Sequence, residues 1–172
     1  WIQKTISDFP TKNELWERYK KIEWIIETSQ ENQTLTPYYK EKGSSEPRYY
    51  QEIAINKVVN AINRWQKRIL LVMATWTWKT YTSFQMIYRL WKARTCKRIL
   101  FLADRNILVD QAKDKDFIPF WDARYKITSS WEKVKSREMY FAIYQGLSDR
   151  EWMSNWAYRD YPKDYFDLID GD

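Results

Sequence analysis

The chain predicts an α/β fold, a doubly wound and mostly parallel sheet with a helical segment at its N-terminus. Three observations predict it. The apolar runs Ile69–Ala74 and Ile99–Ala103 have strand length and no alternation, as in strands buried on both faces. Between them Phe84, Ile87, Tyr88 and Trp91 fall at helical spacing. Each of these runs ends on a polar turn and is followed by a helical pattern, the alternation that builds a parallel sheet.

The elements follow in order. Thr11-Lys12-Asn13-Glu14 has the S/T-x-x-E form of a capping box, and Leu15, Tyr19, Ile22 and Ile26 lie on one stripe behind it. This predicts a helix from Lys12 to Glu27. Residues 30–47 are polar, with Pro37, Gly43-Ser44-Ser45 and Pro47, and read as a connector. A boundary there gives a helical linker segment over 1–47 and a main lobe over 48–172. Trp16 and Trp24 are placed for an interface with something upstream. Residues 48–64 predict a helix with Ala54, Ile55, Val58, Val59 and Ile62 on one face. Ile69–Ala74 predicts a central strand, and a helix starts near Lys79. After the strand at Ile99–Ala103 comes a helix with Ile107, Leu108 and Ala112 inward. A third strand is predicted at Met139–Tyr144. A fourth, Phe166–Ile169, precedes Asp170-Gly171-Asp172.

Composition narrows the function. Hydrophobic residues make up 44% of the 172, enough for a core, and the net charge of +6 suits nucleic acid or another polyanion. The longest apolar run is far below the ~18 residues of a membrane span. The N-terminus lacks the layout of a secretory signal, and a lone Cys96 cannot form an internal disulfide, which favours the cytoplasm. With no histidine and one cysteine, a zinc site is disfavoured and any triad that uses His is excluded.

The chemistry concentrates in Thr75-Trp76-Thr77-Trp78-Lys79-Thr80. Strand, turn, Lys-Thr, helix is the frame of a phosphate-binding loop. Backbone N–H groups and the helix N-terminus face the phosphates, the lysine reaches the β/γ oxygens and the hydroxyl holds Mg²⁺. Such a turn calls for glycine, which takes positive φ and lets the backbone approach without a Cβ. Here Trp76 and Trp78 stand at those places. The imbalance extends along the chain. Ordinary usage of about 7% glycine gives roughly 12 in this length, yet there are 3 glycines and 11 tryptophans. Trp65, Trp76, Trp78, Trp121 and Trp131 all sit where glycine is expected, and read as glycine positions carrying tryptophan.

The runs Pro47-Arg48-Tyr49-Tyr50-Gln51-Glu52-Ile53-Ala54-Ile55-Asn56, Arg68-Ile69-Leu70-Leu71-Val72-Met73-Ala74-Thr75 and Phe101-Leu102-Ala103-Asp104-Arg105-Asn106-Ile107-Leu108-Val109-Asp110-Gln111, with the late Phe166-Asp167-Leu168-Ile169, carry a specific resemblance. In order and spacing, residues 47–169 resemble the restriction (motor) subunit of type I restriction-modification enzymes. That family is a superfamily 2 helicase-like, ATP-driven translocase on double-stranded DNA, with two RecA-like lobes. The resemblance implies that this chain is the first lobe, and that residues 1–47 join the family's nuclease domain to its motor.

The resemblance also implies roles. Gln51 reads adenine, with Arg48 near the base. Thr75, Trp76, Thr77 and Trp78 form the phosphate loop, Lys79 neutralises the β/γ phosphates, and Thr80 ligates Mg²⁺. Asp104-Arg105 and the weaker Tyr144-Gln145 face DNA. ATP and Mg²⁺ are the implied cofactors. Double-stranded DNA and the methyltransferase and specificity subunits of the complex are the implied partners, in a prokaryotic cytoplasm. Two departures matter. The family has MATGTGKT where Met73–Thr80 carries the two tryptophans. The family also continues its fourth strand into Asp-Glu-Cys-His, where Asp170-Gly171-Asp172 stands here. No catalytic residue is carried over, and the fragment alone is expected to be inactive, with its nucleotide site impaired. Two other readings are a basic, aromatic nucleic-acid-binding module without nucleotide chemistry, and an inactive structural fragment.

Overall fold

The computed structural model describes residues 9–41, 46–127, 134–147 and 161–171. Its centre is a four-stranded sheet in the order β2-β3-β1-β4, made of β1 (Ile99–Ala103), β2 (Arg124–Lys126), β3 (Met139–Ile143) and β4 (Leu168–Gly171). All three pairings are parallel, with Ala103 opposite Ile143 and Leu102 opposite Gly171. The predicted α/β class with a parallel sheet is therefore what forms. Asp167 aligns β4 with β1: its Oδ2 accepts from the backbone N–H groups of Lys97 and Arg98 at 2.8 and 2.9 Å.

The two sheet faces are covered differently. On one, Ile99, Phe101, Ala103, Met139 and Phe141 pack beneath α3 (Tyr49–Asn63) and α4 (Lys79–Lys92). Ala54, Ile55, Val58 and Val59 on α3, and Phe84, Ile87 and Leu90 on α4, supply the helix side. Helix α3 falls within its predicted span, α4 starts at the predicted Lys79, and both turn the predicted faces to the core. On the other face Leu100, Tyr140 and Ala142 pack against Tyr161, Tyr165 and Phe166. There the guanidinium of Arg98 lies 4.4 Å from the centre of the Tyr165 ring.

Several elements differ from the sequence expectation. The predicted central strand at Ile69–Ala74 is not formed: the segment is non-helical, pairs with none of the described strands, and leaves Leu70 and Val72 84–89% exposed. Leu71 and Met73, on the alternate positions, are less exposed than Leu70 and Val72. An apolar run sets the side chains of a strand, but the strand itself requires a neighbour for its N–H and C=O groups.

The first helix, α1, is Lys12–Glu23 and stops four residues short of the expected Glu27. Its capping box is present, with Thr11 N–H to Glu14 Oε2 at 2.8 Å and Glu14 N–H to Thr11 Oγ1 at 3.3 Å. Trp24, in the left-handed region, ends it. The stripe of Leu15, Ile22 and Ile26 faces solvent, and among the described residues α1 buries none of its own. Part of the expected connector is a second helix, α2 (Thr28–Leu35). It is fastened to the lobe by Gln30 Nε2, which donates to Asn63 O at 2.7 Å. The buried Arg89 of α4 donates to Asn56 Oδ1 and to the carbonyls of Gln33 and Thr34.

After β1, α5 (Asn106–Gln111) continues into a π turn (Ala112–Asp116) and a 3₁₀ segment (Ile118–Ala123). Val109 and Ala112 point inward, while Ile107 and Leu108, expected inward, are exposed. The third strand ends at Ile143, and Tyr144 opens the short helix α6 (Tyr144–Leu147). The fourth strand lies two residues later than expected. The expectations for Gly43-Ser44-Ser45, Trp131 and Asp172 fall outside the described residues.

Candidate functional site

The structure brings the nominated residues into two groups. The first is built where α3 and the turn before α4 meet. Gln51, one turn into α3, is 3% exposed, and both ends of its amide are committed. Its Oε1 accepts from Arg48 N–H at 2.8 Å, and its Nε2 donates to the carbonyl of Thr77 at 3.0 Å. Arg48, Gln51 and the loop are thus one hydrogen-bonded unit across 26 residues of sequence. Thr77 is held from inside the loop as well: its Oγ1 donates to Ala74 O at 2.6 Å.

Helix α4 begins at Lys79, with an exposed side chain, and Thr80 follows. Trp78 caps it at φ 58°, ψ 55°, and Trp76 has φ 67°. The backbone at both places has the left-handed form that glycine takes without penalty and other residues seldom adopt. Trp76 is 94% exposed and Trp78 67%. The donor set and the backbone therefore suit a phosphate group: an ammonium, a hydroxyl and a glycine-type turn at the start of a helix. The same turn carries two exposed indoles, Trp76 and Trp78.

The second group lies at the carboxyl edge of the sheet. Asp104 and Arg105 follow β1, Tyr144 and Gln145 follow β3, and the pairing of Ala103 with Ile143 sets them side by side. Asp104 and Arg105 are exposed and form a loose ion pair of 3.5 Å. Arg105, not Asp104, occupies the N-cap of α5, and its side chain caps nothing. Gly171 closes the edge from β4. A Cβ there would lie 2.3 Å from the Tyr144 hydroxyl oxygen, so any other residue would require the Tyr144 side chain to shift. The sequence signal for that contact is slight, namely that Gly171 is one of three glycines in the chain. With 69–74 outside the sheet, strand pairing does not place Thr75–Thr80 on this edge. Among the described residues no group of three or more acidic, Cys or His side chains could hold a metal ion.

A family profile described as "Type III restriction enzyme, res subunit" matches residues 44–172. The chain is 46% identical over 168 residues to the type I restriction enzyme EcoAI endonuclease subunit of Escherichia coli, covering 97% of this chain and 20% of that protein. It is 52% identical over 65 residues to the type I restriction enzyme EcoKI endonuclease subunit of Escherichia coli strain K12, covering 38% of this chain and 6% of that protein. The chain thus spans about a fifth or less of the length of these relatives. No solved structure matches it.

Proposed function

The chain belongs to the family of the type III restriction enzyme res subunit, and on that premise we propose that it is the nucleotide-binding motor lobe of a type I restriction endonuclease subunit. The type I assignment rests on the identity to the EcoAI subunit along nearly the whole chain. The observation that carries the nucleotide reading is the Gln51–Thr77 hydrogen bond, which ties the helix at Arg48 to the loop before Lys79. In this reading Mg²⁺ and ATP bind at Arg48, Gln51 and Thr75–Thr80. Lys79 neutralises the β/γ phosphates and Thr80 contributes its hydroxyl to Mg²⁺. When bound, MgATP would supply the phosphoanhydride bond whose hydrolysis drives movement along DNA. With indoles at 76 and 78 the site is impaired; with glycine there, it is open.

Asp104, Arg105, Tyr144 and Gln145 form the DNA side, and double-stranded DNA is contacted through its phosphates. The methyltransferase and specificity subunits of a type I complex are the partners, and the compartment is the prokaryotic cytoplasm. No helix among the described residues is long and apolar enough to cross a membrane.

A DNA-binding titration against salt tests the DNA half. Arg105→Ala is expected to weaken duplex binding similarly for all sequences and to flatten the salt slope by about one unit. A strong sequence preference that survives high salt would refute backbone-driven binding.

A further inference from the structure

The seven tryptophans among the described residues fall into two classes with nothing between them. Trp16 and Trp91 lie inside α1 and α4 and are half-buried. Each makes the contacts an indole is suited to. Trp16 stacks on Tyr19 at 5.6 Å and its Nε1 donates to Glu31 Oε1 at 2.9 Å. Trp91 meets Phe120 edge-on at 5.0 Å and its Nε1 donates to Glu138 Oε2.

The other five are Trp24, Trp65, Trp76, Trp78 and Trp121. All have positive φ, from 48° to 67°, and all are 66–94% exposed. Among the described residues Arg94 is the one other non-glycine residue with positive φ. A bulky side chain with φ above zero is a genuine outlier in proteins. Five of six falling on one of the least common residue types is not a property of tryptophan.

Each of the five places does work that glycine does. Trp24 ends α1 in the left-handed form, and Ile25 N–H then reaches back to Lys20 O at 2.9 Å. Trp65 does the same after α3, with Gln66 N–H to Ala61 O at 3.0 Å. Both are the helix-ending position at which glycine is most common. Trp76 and Trp78 shape the phosphate loop. Trp121, at φ 48° and ψ −129°, lies near the first central position of a type II′ turn, where glycine is the rule.

We infer that the protein made in its own host carries glycine at positions 24, 65, 76, 78 and 121 and tryptophan at 16 and 91, because one of two codons rendered here as tryptophan is decoded there as glycine. UGG is the ordinary tryptophan codon. UGA, a stop in the ordinary code, is the codon open to reassignment. Five added glycines also move the count of 3 toward ordinary usage. The inference goes beyond the proposed function, since positions 24, 65 and 121 are not part of the nucleotide group. It deepens that reading too, because it leaves the loop open, with no side chain at either left-handed position.

The gene and the protein from its host test it together. The expected result is TGA at the five positive-φ positions and TGG at the two helical ones, with peptide masses showing glycine at the five and tryptophan at the two. TGG at the five, or tryptophan in their peptides, overturns it. A codon division that cuts across the two structural classes also overturns it. Residue identity is read without reference to ATP, so failure here is distinguishable from failure of the nucleotide reading.

Discussion

Gln51 Nε2 donates to the main-chain carbonyl of Thr77 at 3.0 Å, and the same side chain accepts from Arg48 N–H through Oε1. One buried amide therefore fixes both the entry of α3 and the crest of the loop. Gln51→Ala removes both bonds and leaves a carbonyl and an N–H unsatisfied, at a cost of about 1–3 kcal/mol. The midpoint of urea unfolding should fall accordingly, and amide exchange in 75–78 should accelerate more than in β1. Unchanged exchange in the loop would show that Gln51 does not hold it.

Trp76→Gly with Trp78→Gly should restore nucleotide binding, and Lys79→Ala should then abolish it. Left-handed backbone costs a non-glycine residue roughly 1–2 kcal/mol, while glycine loses more chain entropy on folding, roughly 0.5–1 kcal/mol. A gain in stability of about 1 kcal/mol for the pair is expected alongside. Titration with a fluorescent ATP analogue and thermal unfolding measure the two effects. Tight ATP binding by the chain with both tryptophans would refute the steric argument.

Much of the helical face was legible because periodicity and packing agree there. The stripes of α3 and α4 lie on the sheet, and the runs at Ile99 and Met139 are its two inner strands. Phe117 and Phe120 escaped notice. They are fully buried and meet Phe84 at 5.5 and 6.0 Å, yet Phe117 lies at the junction of the π turn and the 3₁₀ segment and Phe120 within the latter, where spacing matches no regular period. The three-residue β2 is too short to leave a pattern. In α1 the stripe is real but only Tyr19 is partly covered, while Leu15 and Ile22 face solvent, since periodicity reports a face and not what covers it. The loop's mismatch was visible as residues out of place. Only the φ values tie Trp24 to the same set, because the expected helix ran on to Glu27 and put Trp24 inside it.

Cys96 tests the packing between α4 and β1. Burial, with a smaller effect from the charge of Asp167, pushes its thiol up to about 11 from an ordinary 9.0. A raised folded-state pKa means that the folded chain holds the proton more tightly. The contribution to stability is then fully present below about 9 and is lost as pH rises toward 11. Cys96→Ala should flatten the fall in stability across that window relative to the parent chain. Alkylation of Cys96 at pH 8 should be slow in the folded chain and fast in denaturant. Rapid alkylation of the folded chain would show that the thiol is open to solvent.

With both tryptophans of the loop replaced by glycine, the 172-residue chain should bind MgATP and not turn it over. Phosphoryl transfer needs a carboxylate on the Mg²⁺ shell, a residue that orients the attacking water, and a positive group on the transition-state charge. The nucleotide group described here offers Lys79 and Thr80, which serve binding. On β4 the nearest acid to the carboxyl edge is Asp170, in register with Phe101, which is too early for the family's Asp-Glu pair, and no glutamate follows it in Gly171-Asp172. The arginine finger of the resembled motors comes from a second lobe, and losing one costs on the order of 10³–10⁵ in rate. A DNA-stimulated phosphate-release assay on the double variant should therefore stay at background while the fluorescent analogue binds. Repeated turnover within minutes, abolished by Lys79→Ala, would mean that the described lobe already holds the groups that activate water.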